Sequence, residues 1–286
     1  MANYNLTKLT NRVLVHVGGD EASAFLQGLL TCDIAHLKIG EATFGALLSP
    51  QGKILFDFFV VVSTNGIILD VEKSMAEDLM RRLMFYRLRA KIDIEPMDER
   101  TSVFAIWGKG EKPPLADGLI VTDPRLADMG MRAYIRKAPD DIIAKTMDDW
   151  HAHRIALGMP EGGFDYAFGS AFPHDCLMDQ FKGVDFSKGC YVGQEVVSRM
   201  QHRGTARKRV VQVSSETALP AQGTEILSNG KSCGEITSVS GSNGLAMIRI
   251  DRVEGDGAER TALAGSAPVT LKIQPWCKFD WPQSKV

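Results

Sequence analysis

The sequence has no apolar run approaching the roughly 20 residues that a helix needs to cross a bilayer. Met1 to Asn11 lacks the charged-then-apolar pattern of a secretory signal, so none is expected. Net charge is small. The 33 basic and 35 acidic side chains leave −2 at neutral pH, which excludes a molecule that holds nucleic acid by its overall charge. Cysteine is scarce: the five are odd in number, scattered, and form no Cys-x-x-Cys pair. A disulfide framework and a structural zinc site are therefore not expected, and a reducing compartment is. No segment repeats at a fixed period. What remains is an ordinary globular composition, 44% hydrophobic and 24% charged over 286 residues. That is enough chain for one large or two moderate domains.

Hydrophobic periodicity gives an ordered series of short elements. Arg12 to Val17 alternates as a strand, and Asp20 is placed to cap a helix carrying Ala24, Phe25 and Leu29. Thr43–Leu48 and Lys53–Val62 read as a hairpin around the turn Ser49-Pro50-Gln51-Gly52. A turn at Thr64-Asn65-Gly66 leads into a strand over 67–71. Ser74 opens a helix to about Leu88, with Met75, Leu79, Leu83 and Tyr86 at helical spacing, and 91–94 returns as a strand. A second α+β unit follows, with strands at 103–107 and 130–136 and a helix over 140–157. Between those strands, 110–128 reads as a variable loop, and 158–176 as an ordered one. From Thr205 the pattern changes to short strands and regular turns, which predicts a small barrel to about Ile273. The fold class is α+β: a ligand-binding region over 1–204, in two units of about 1–100 and 101–204, followed by a β-barrel over 205–286.

Chemistry concentrates in Lys188-Gly189-Cys190-Tyr191-Val192-Gly193-Gln194-Glu195. Two glycines suggest a tight backbone path that presents Cys190 on a turn. Lys188 and the helix start at Gly193 would both favour a thiolate, and Glu195 is placed to exchange a proton. The alternatives are a small buried Cys190 and a Glu195 that serves only the first helical turn. Tyr191, Phe164, Tyr166, Phe172 and Trp150 are candidates for a flat-ligand pocket or for a plain aromatic core. Arg154 could meet a carboxylate bidentately or form a surface ion pair. Arg199, His202, Arg203, Arg207, Lys208 and Arg209 form a basic run, read as an anion- or partner-binding face or a solvated one. His174, Cys176 and Cys190 are suitable iron donors, but their spacing is not diagnostic and no metal site is assigned.

The same run resembles the K-G-C-Y-x-G-Q-E signature of the YgfZ proteins, folate-binding relatives of the glycine-cleavage T-protein. Phe25-Leu26-Gln27-Gly28-Leu29-Leu30-Thr31-Cys32-Asp33-Ile34 is similar to the family's early F-L-Q-G segment, and Leu48-Ser49-Pro50-Gln51-Gly52-Lys53-Ile54 to its G-K-I hairpin. Arg154-Ile155-Ala156-Leu157-Gly158-Met159-Pro160-Glu161-Gly162 is similar to the mitochondrial branch, whose members assemble iron–sulfur clusters. The resemblance implies a T-protein-like fold and an accessory role in iron–sulfur cluster assembly or repair, with Cys190, Lys188 and Glu195 at the reactive centre. It implies tetrahydrofolate or a related folate, held by Trp150, Arg154, Tyr191, Gly193, Gln194 and Asp57. It also implies partners among A-type cluster carriers and four-iron client enzymes, in a bacterial cytoplasm or a mitochondrial matrix. Membrane and nucleic-acid partners are not expected. Two departures count against a second reading, a folate-dependent aminomethyltransferase. Ala156 stands where transferases have a pterin-binding glutamate, and Phe56-Asp57 where they have an acidic pair. A third reading is a non-catalytic scaffold for cluster carriers.

Overall fold

The computed structural model describes residues 3–109, 118–138 and 143–282. The chain forms two compact units. One comprises residues 1–150 with 181–194, the other residues 151–180 with 195–286. The units interleave along the sequence, whereas the composition shift suggested a single boundary near Gly204.

In the first unit the elements run β1 (Asn3–Lys8), β2 (Arg12–Gly18), α1 (Ala22–Gln27), β3 (Ala42–Leu48), β4 (Ile54–Ser63), β5 (Gly66–Glu72), α2 (Ala76–Arg87) and β6 (Asp93–Pro96). They continue with β7 (Ser102–Lys109), β8 (Leu119–Thr122), β9 (Met131–Ile135), β10 (Ile143–Ala144) and α3 (Met147–Ala156), whose last turns belong to the second unit. One five-stranded sheet has the antiparallel order β3-β4-β5-β2-β6. The other has the order β10-β1-β7-β9-β8, antiparallel except where β10 lies parallel to β1. β4 is buried on both faces from Phe56 to Val61, so apart from Asp57 its sequence there is apolar at every position rather than alternating. Leu26 of α1 and Leu79 and Leu83 of α2 join Val15, Val17, Phe58, Val60 and Leu69 in one core.

Local chemistry explains where the sequence reading and the structure differ. α1 is capped at Glu21 rather than Asp20, with no side-chain cap bond. Ser74 is a donor, not an acceptor: the Glu72 carboxylate accepts from its amide at 2.7 Å and leads a 3₁₀ turn into α2. The helix expected over 140–157 begins at Met147. Thr146 caps it: the Asp149 amide donates to Thr146 Oγ1 at 3.1 Å, and the Thr146 amide donates to Asp149 Oδ2 at 2.9 Å. This reciprocal box fixes the helix start. Just before it, Ile143 and Ala144 pair with β1 instead of coiling, and Ile143 is exposed. Asp140 and Ile142 lie outside the described residues. Within the expected loop over 110–128, residues 119–122 form β8 against β9; residues 110–117 lie outside the described residues.

The two sheets of this unit meet at a buried ionic cluster. Asp70 of β5 accepts Arg12 Nε at 2.7 Å and Arg132 Nη1 of β9 at 2.8 Å, with Tyr134 Oη at 3.3 Å. The Arg132 guanidinium lies 3.7 Å from the centroid of Phe59, and Arg125 lies 4.8 Å from the same ring while pairing with Asp123 at 2.7 Å.

In the second unit, α4 (Gln194–Arg203, all but its first residue) precedes β11 (Lys208–Ser214), β12 (Glu225–Ser228), β13 (Lys231–Ser240), β14 (Asn243–Arg249), β15 (Glu259–Ala264) and β16 (Ala267–Lys272). These six strands close as β11-β14-β13-β12-β15-β16, with β11 pairing β16 across the seam. Asn229 and Gly230 take φ of 48° and 73°, the positive values that a two-residue hairpin turn needs. Val211, Val213, Ile226, Ile236, Ala246, Ile248 and Leu271 fill the interior. The α+β class and the C-terminal barrel are as the sequence indicated.

Asp70→Asn should destabilise the protein by about 3–5 kcal/mol in urea unfolding, because it leaves two buried guanidiniums facing a neutral group. Burial alone would push the Asp70 carboxyl up; Arg12 and Arg132 together outweigh it and hold the group below the usual carboxylate range. Its contribution is therefore full above the ordinary carboxylate pKa and is lost as pH falls through the lowered native value. Wild-type stability should drop over that acidic window and the variant's should be flatter.

Candidate functional site

The segment 181–194 packs within the first unit through three attachments. Thr31 Oγ1 donates to the Gly183 carbonyl at 2.6 Å and accepts the Ala46 amide at 2.9 Å. Asp185 donates its amide to the Thr31 carbonyl at 2.8 Å, and its carboxylate accepts the amides of Ser187 at 2.7 Å and Lys188 at 3.0 Å. Lys188 Nζ then donates to the carbonyls of Gln27, Leu30 and Cys32 at 2.8, 2.7 and 2.7 Å. An ammonium has three protons, and all three are engaged, one by the last residue of α1 and two by the segment that follows it. Burial pushes the Lys188 pKa down. Beside the expectation that Lys188 favours the Cys190 thiolate, the structure gives it a positional role: it pins the turn that carries the cysteine.

The two glycines differ. Gly193 has φ +81°, and a Cβ there would lie 2.6 Å from the Ser49 carbonyl oxygen and 3.1 Å from Gly52 Cα, so the backbone presses on the β3–β4 hairpin turn. A Cβ at Gly189 would meet nothing within 4 Å. Only one of the two is required by a close approach. All five cysteines lie among the described residues, and Cys190 is the exposed one; Cys32, Cys176 and Cys233 are buried and Cys277 is intermediate. Burial pushes the Cys32 thiol up to about 12 and the Cys277 thiol to about 12, so neither competes as a thiolate near neutral pH. The buried-residue alternative for Cys190 is ruled out by its exposure.

Tyr191 is buried, with Lys188 Nζ 5.6 Å from its ring centroid, and its hydroxyl has no hydrogen-bond partner among the described residues. Burial raises its pKa to about 12. Gln194 is half-buried at the start of α4. Glu195 is exposed in the first turn and pairs with Arg199 at 2.6 Å, a contact along the helix surface. Asp57 is buried in β4 opposite Ala46, and Phe56 belongs to the apolar core.

The remaining expected ligand residues are committed elsewhere. Trp150 is 1% exposed and tilts against Trp107, with centroids 5.5 Å apart. Arg154 is neither a surface ion pair nor an open cation. Its Nη1 donates to Asp165 at 2.6 Å, its Nη2 to Ser238 Oγ at 2.9 Å and its Nε to His151 Nδ1 at 3.0 Å, with Glu161 at 3.3 Å. Asp165 also accepts Thr237 Oγ1 at 2.8 Å. The cluster ties the 158–176 loop to β13. A pterin needs a free aromatic face and a glutamyl tail needs a free cation. Trp150 and Arg154 supply neither, so these two residues do not fit a folate. Phe164 is 37% exposed beside His151, while Tyr166 is buried and Phe172 half-buried. The basic run divides: Arg199, His202 and Arg203 are exposed on α4, while Arg209 is buried and pairs with Asp179 at 2.6 Å. His174 Nε2 lies 3.0 Å from Gln201 Oε1. Among the described residues no three His, Cys, Asp or Glu side chains gather to hold a metal ion.

The GCVT N-terminal domain matches residues 5–114, and the CAF17 C-terminal beta-barrel domain matches residues 207–279. An iron-sulfur cluster assembly factor IBA57 homolog, mitochondrial, from Phaeosphaeria nodorum is 30% identical over 292 residues, covering 87% of this chain and 71% of that protein. The chain belongs to the IBA57 family. The mitochondrial IBA57 of Mus musculus is 29% identical over 308 residues, covering 96% of this chain and 85% of its own. The fold is that of a crystal structure of glycine cleavage system aminomethyltransferase T from Bartonella henselae, with a TM-score of 0.78 over 99% of this chain and 88% of that one at 17% identity. IBA57 membership thus goes with an aminomethyltransferase-type fold. What the sequence reading missed is the bolt formed by Thr31 and Asp185, whose partners are more than a hundred residues apart and leave no local pattern.

The contrast between the two glycines is testable. Gly193→Ala should cost more than about 1 kcal/mol, because it forces a side chain into a positive-φ position against a carbonyl. Gly189→Ala should stay within about 0.5 kcal/mol of wild type. Equal costs in chemical denaturation would mean that the hairpin contact does not govern the motif.

Proposed function

We propose that this IBA57-family protein assists iron–sulfur cluster assembly through Cys190, and that the K-G-C-Y-x-G-Q-E run places it with the YgfZ-type proteins. The observation that carries this reading is an exposed thiol on a turn whose backbone is held from below by Lys188, Asp185 and Thr31. A cluster carried on cysteines takes four thiolates. One exposed Cys190 offers one, so the cluster, as cargo, is shared with a protein that brings the others. A-type carriers are the partner class that the resemblance implies, with four-iron enzymes as clients. The compartment is the matrix for a mitochondrial source and the cytoplasm for a bacterial one; among the described residues no helix is long and apolar enough to cross a membrane.

The reading needs no folate step and no proton transfer by Glu195. An aminomethyltransferase draws no support from a core Phe56, a lone buried Asp57 and Ala156.

Cys190→Ser should melt within about 0.5 kcal/mol of wild type, as expected for an exposed position. It should fail to restore four-iron enzyme activity in cells lacking the protein. Full restoration by the serine variant would refute the thiol's role.

For the folate expectation, calorimetry with tetrahydrofolate is the direct check. Trp150→Ala should destabilise the fold by about 3–5 kcal/mol, as the loss of a buried aromatic does. A variant of unchanged stability that loses measurable folate binding would put the pterin back on Trp150.

A further inference from the structure

Six arginines are buried: Arg12, Arg125, Arg132, Arg154, Arg209 and Arg260. Five face a carboxylate at 2.6–2.8 Å. Arg260 is the exception. It stands on the inward-facing row of β15 with Ala262 and Ala264, where the strand alternates exposed and buried residues. Only 7% of it is exposed, and its Nε and Nη1 are buried without a hydrogen-bond partner among the described residues. Gly255 lies over it; a Cβ at that glycine would be 3.5 Å from Arg260 Cδ. The Trp281 ring centroid is 5.7 Å from its guanidinium carbon.

The same side chain lines a cavity of about 1490 Å³ in the second unit, with Arg209, Phe279 and Trp281. Asp179, Asp251, Glu254, Asp256 and Asp280 line it too, and among the described residues none of them is hydrogen-bonded to Arg260 Nε or Nη1. Asp179 is held by Arg209 at 2.6 Å, Asp251 by Arg249 at 2.9 Å, and Glu254 accepts Asn229 Nδ2 at 2.8 Å. A buried cation without a counter-charge is costly. A planar guanidinium with free donors matches the oxygens of a carboxylate or phosphate. The mouth of a small barrel is also a common place for a ligand.

We propose that this cavity is an anion-binding site, in which Arg260 holds the carboxylate or phosphate group of a small molecule whose body lies along Trp281 and Phe279. The ligand is small because the guanidinium lies below the surface, within reach of a group that enters the cavity. The site stands independently of the Cys190 reading and draws on none of its residues.

The test uses the full-length protein, with sodium phosphate and sodium succinate as probes and sodium chloride at matched ionic strength as the reference. Melting temperature and tryptophan fluorescence are recorded for wild type, Arg260→Gln, Arg260→Lys and Trp281→Phe. The expected result is a saturable rise in wild-type Tm with at least one probe, roughly 5 °C at a hundred-fold excess over Kd, and no rise beyond chloride in Arg260→Gln. Arg260→Lys should respond partially. The saturable fluorescence change should vanish in Trp281→Phe while its Tm response persists. A response to phosphate alone identifies a phosphate ester as the natural group, and one to succinate alone a carboxylate. Without ligand, Arg260→Gln should melt no lower than wild type, because the change removes an unbalanced charge. A markedly lower Tm for Arg260→Gln would make Arg260 a structural residue and overturn the proposal. So would equal responses in wild type and Arg260→Gln, or no response in wild type beyond chloride.

Discussion

Asp70 sits in β5 with no exposure to water, and its charge is tolerated because Arg12 reaches it from the same sheet and Arg132 from the other. A carboxylate so placed leaves the two sheets little freedom to slide. Either guanidinium would lose its partner, and the desolvated charge left behind would cost several kcal/mol. The ring of Phe59 lies between Arg125 and Arg132, which fixes β4 to the cluster. β4 in turn fixes β3 and the hairpin turn on which Gly193 rests. The thiol turn therefore takes its position from an ion cluster in another part of the same unit, through strands that are rigid because they are buried on both faces.

Much of this frame was legible in the sequence because its signals are local. The β3–β4 hairpin shows as two apolar runs around Ser49-Pro50-Gln51-Gly52, α2 as Leu79 and Leu83 at helical spacing, and the barrel as short strands with regular turns. Where local signals compete with long-range pairing, the pairing won. Ile143 and Ala144 sit next to a good helix yet extend along β1, because the edge of β1 offers hydrogen bonds. The capping box at Thr146 and Asp149 was readable and went unread. At the site, Cys190 and Gly193 were legible as a thiol and a glycine in a turn. The actual duties of Lys188, Trp150 and Arg154 were not, because a side chain's partner depends on which distant backbone or ring lies beside it. Residue type announces capability, and surroundings decide use: Arg154 and Arg260 are chemically identical and both buried, yet one is saturated by Asp165, Ser238 and His151 while Nε and Nη1 of the other have no hydrogen-bond partner among the described residues.

Lys188 shows how a conspicuous charged residue beside a reactive group can act through geometry. Its ammonium closes a cradle of three carbonyls: that of Gln27, which the end of α1 leaves unsatisfied, and those of Leu30 and Cys32 in the segment that follows. The helix end and the thiol turn thereby become one object. Substitutions around α1 would reach the cysteine's surroundings without touching it.

The interleaving of the two units along the chain has a consequence for synthesis on the ribosome. β1 is an interior strand of its sheet, between β7 and β10, so the first residues made must wait for partners about a hundred residues later. The piece that completes the first unit, 181–194, emerges only after 151–180 of the second has been made. Neither unit can finish before the other has begun, and a nascent chain stalled near residue 150 would display an unfinished first unit with its thiol turn missing. A protein built this way folds late in translation, and it does not offer its exposed cysteine to the cell until the scaffold that holds it has been synthesised.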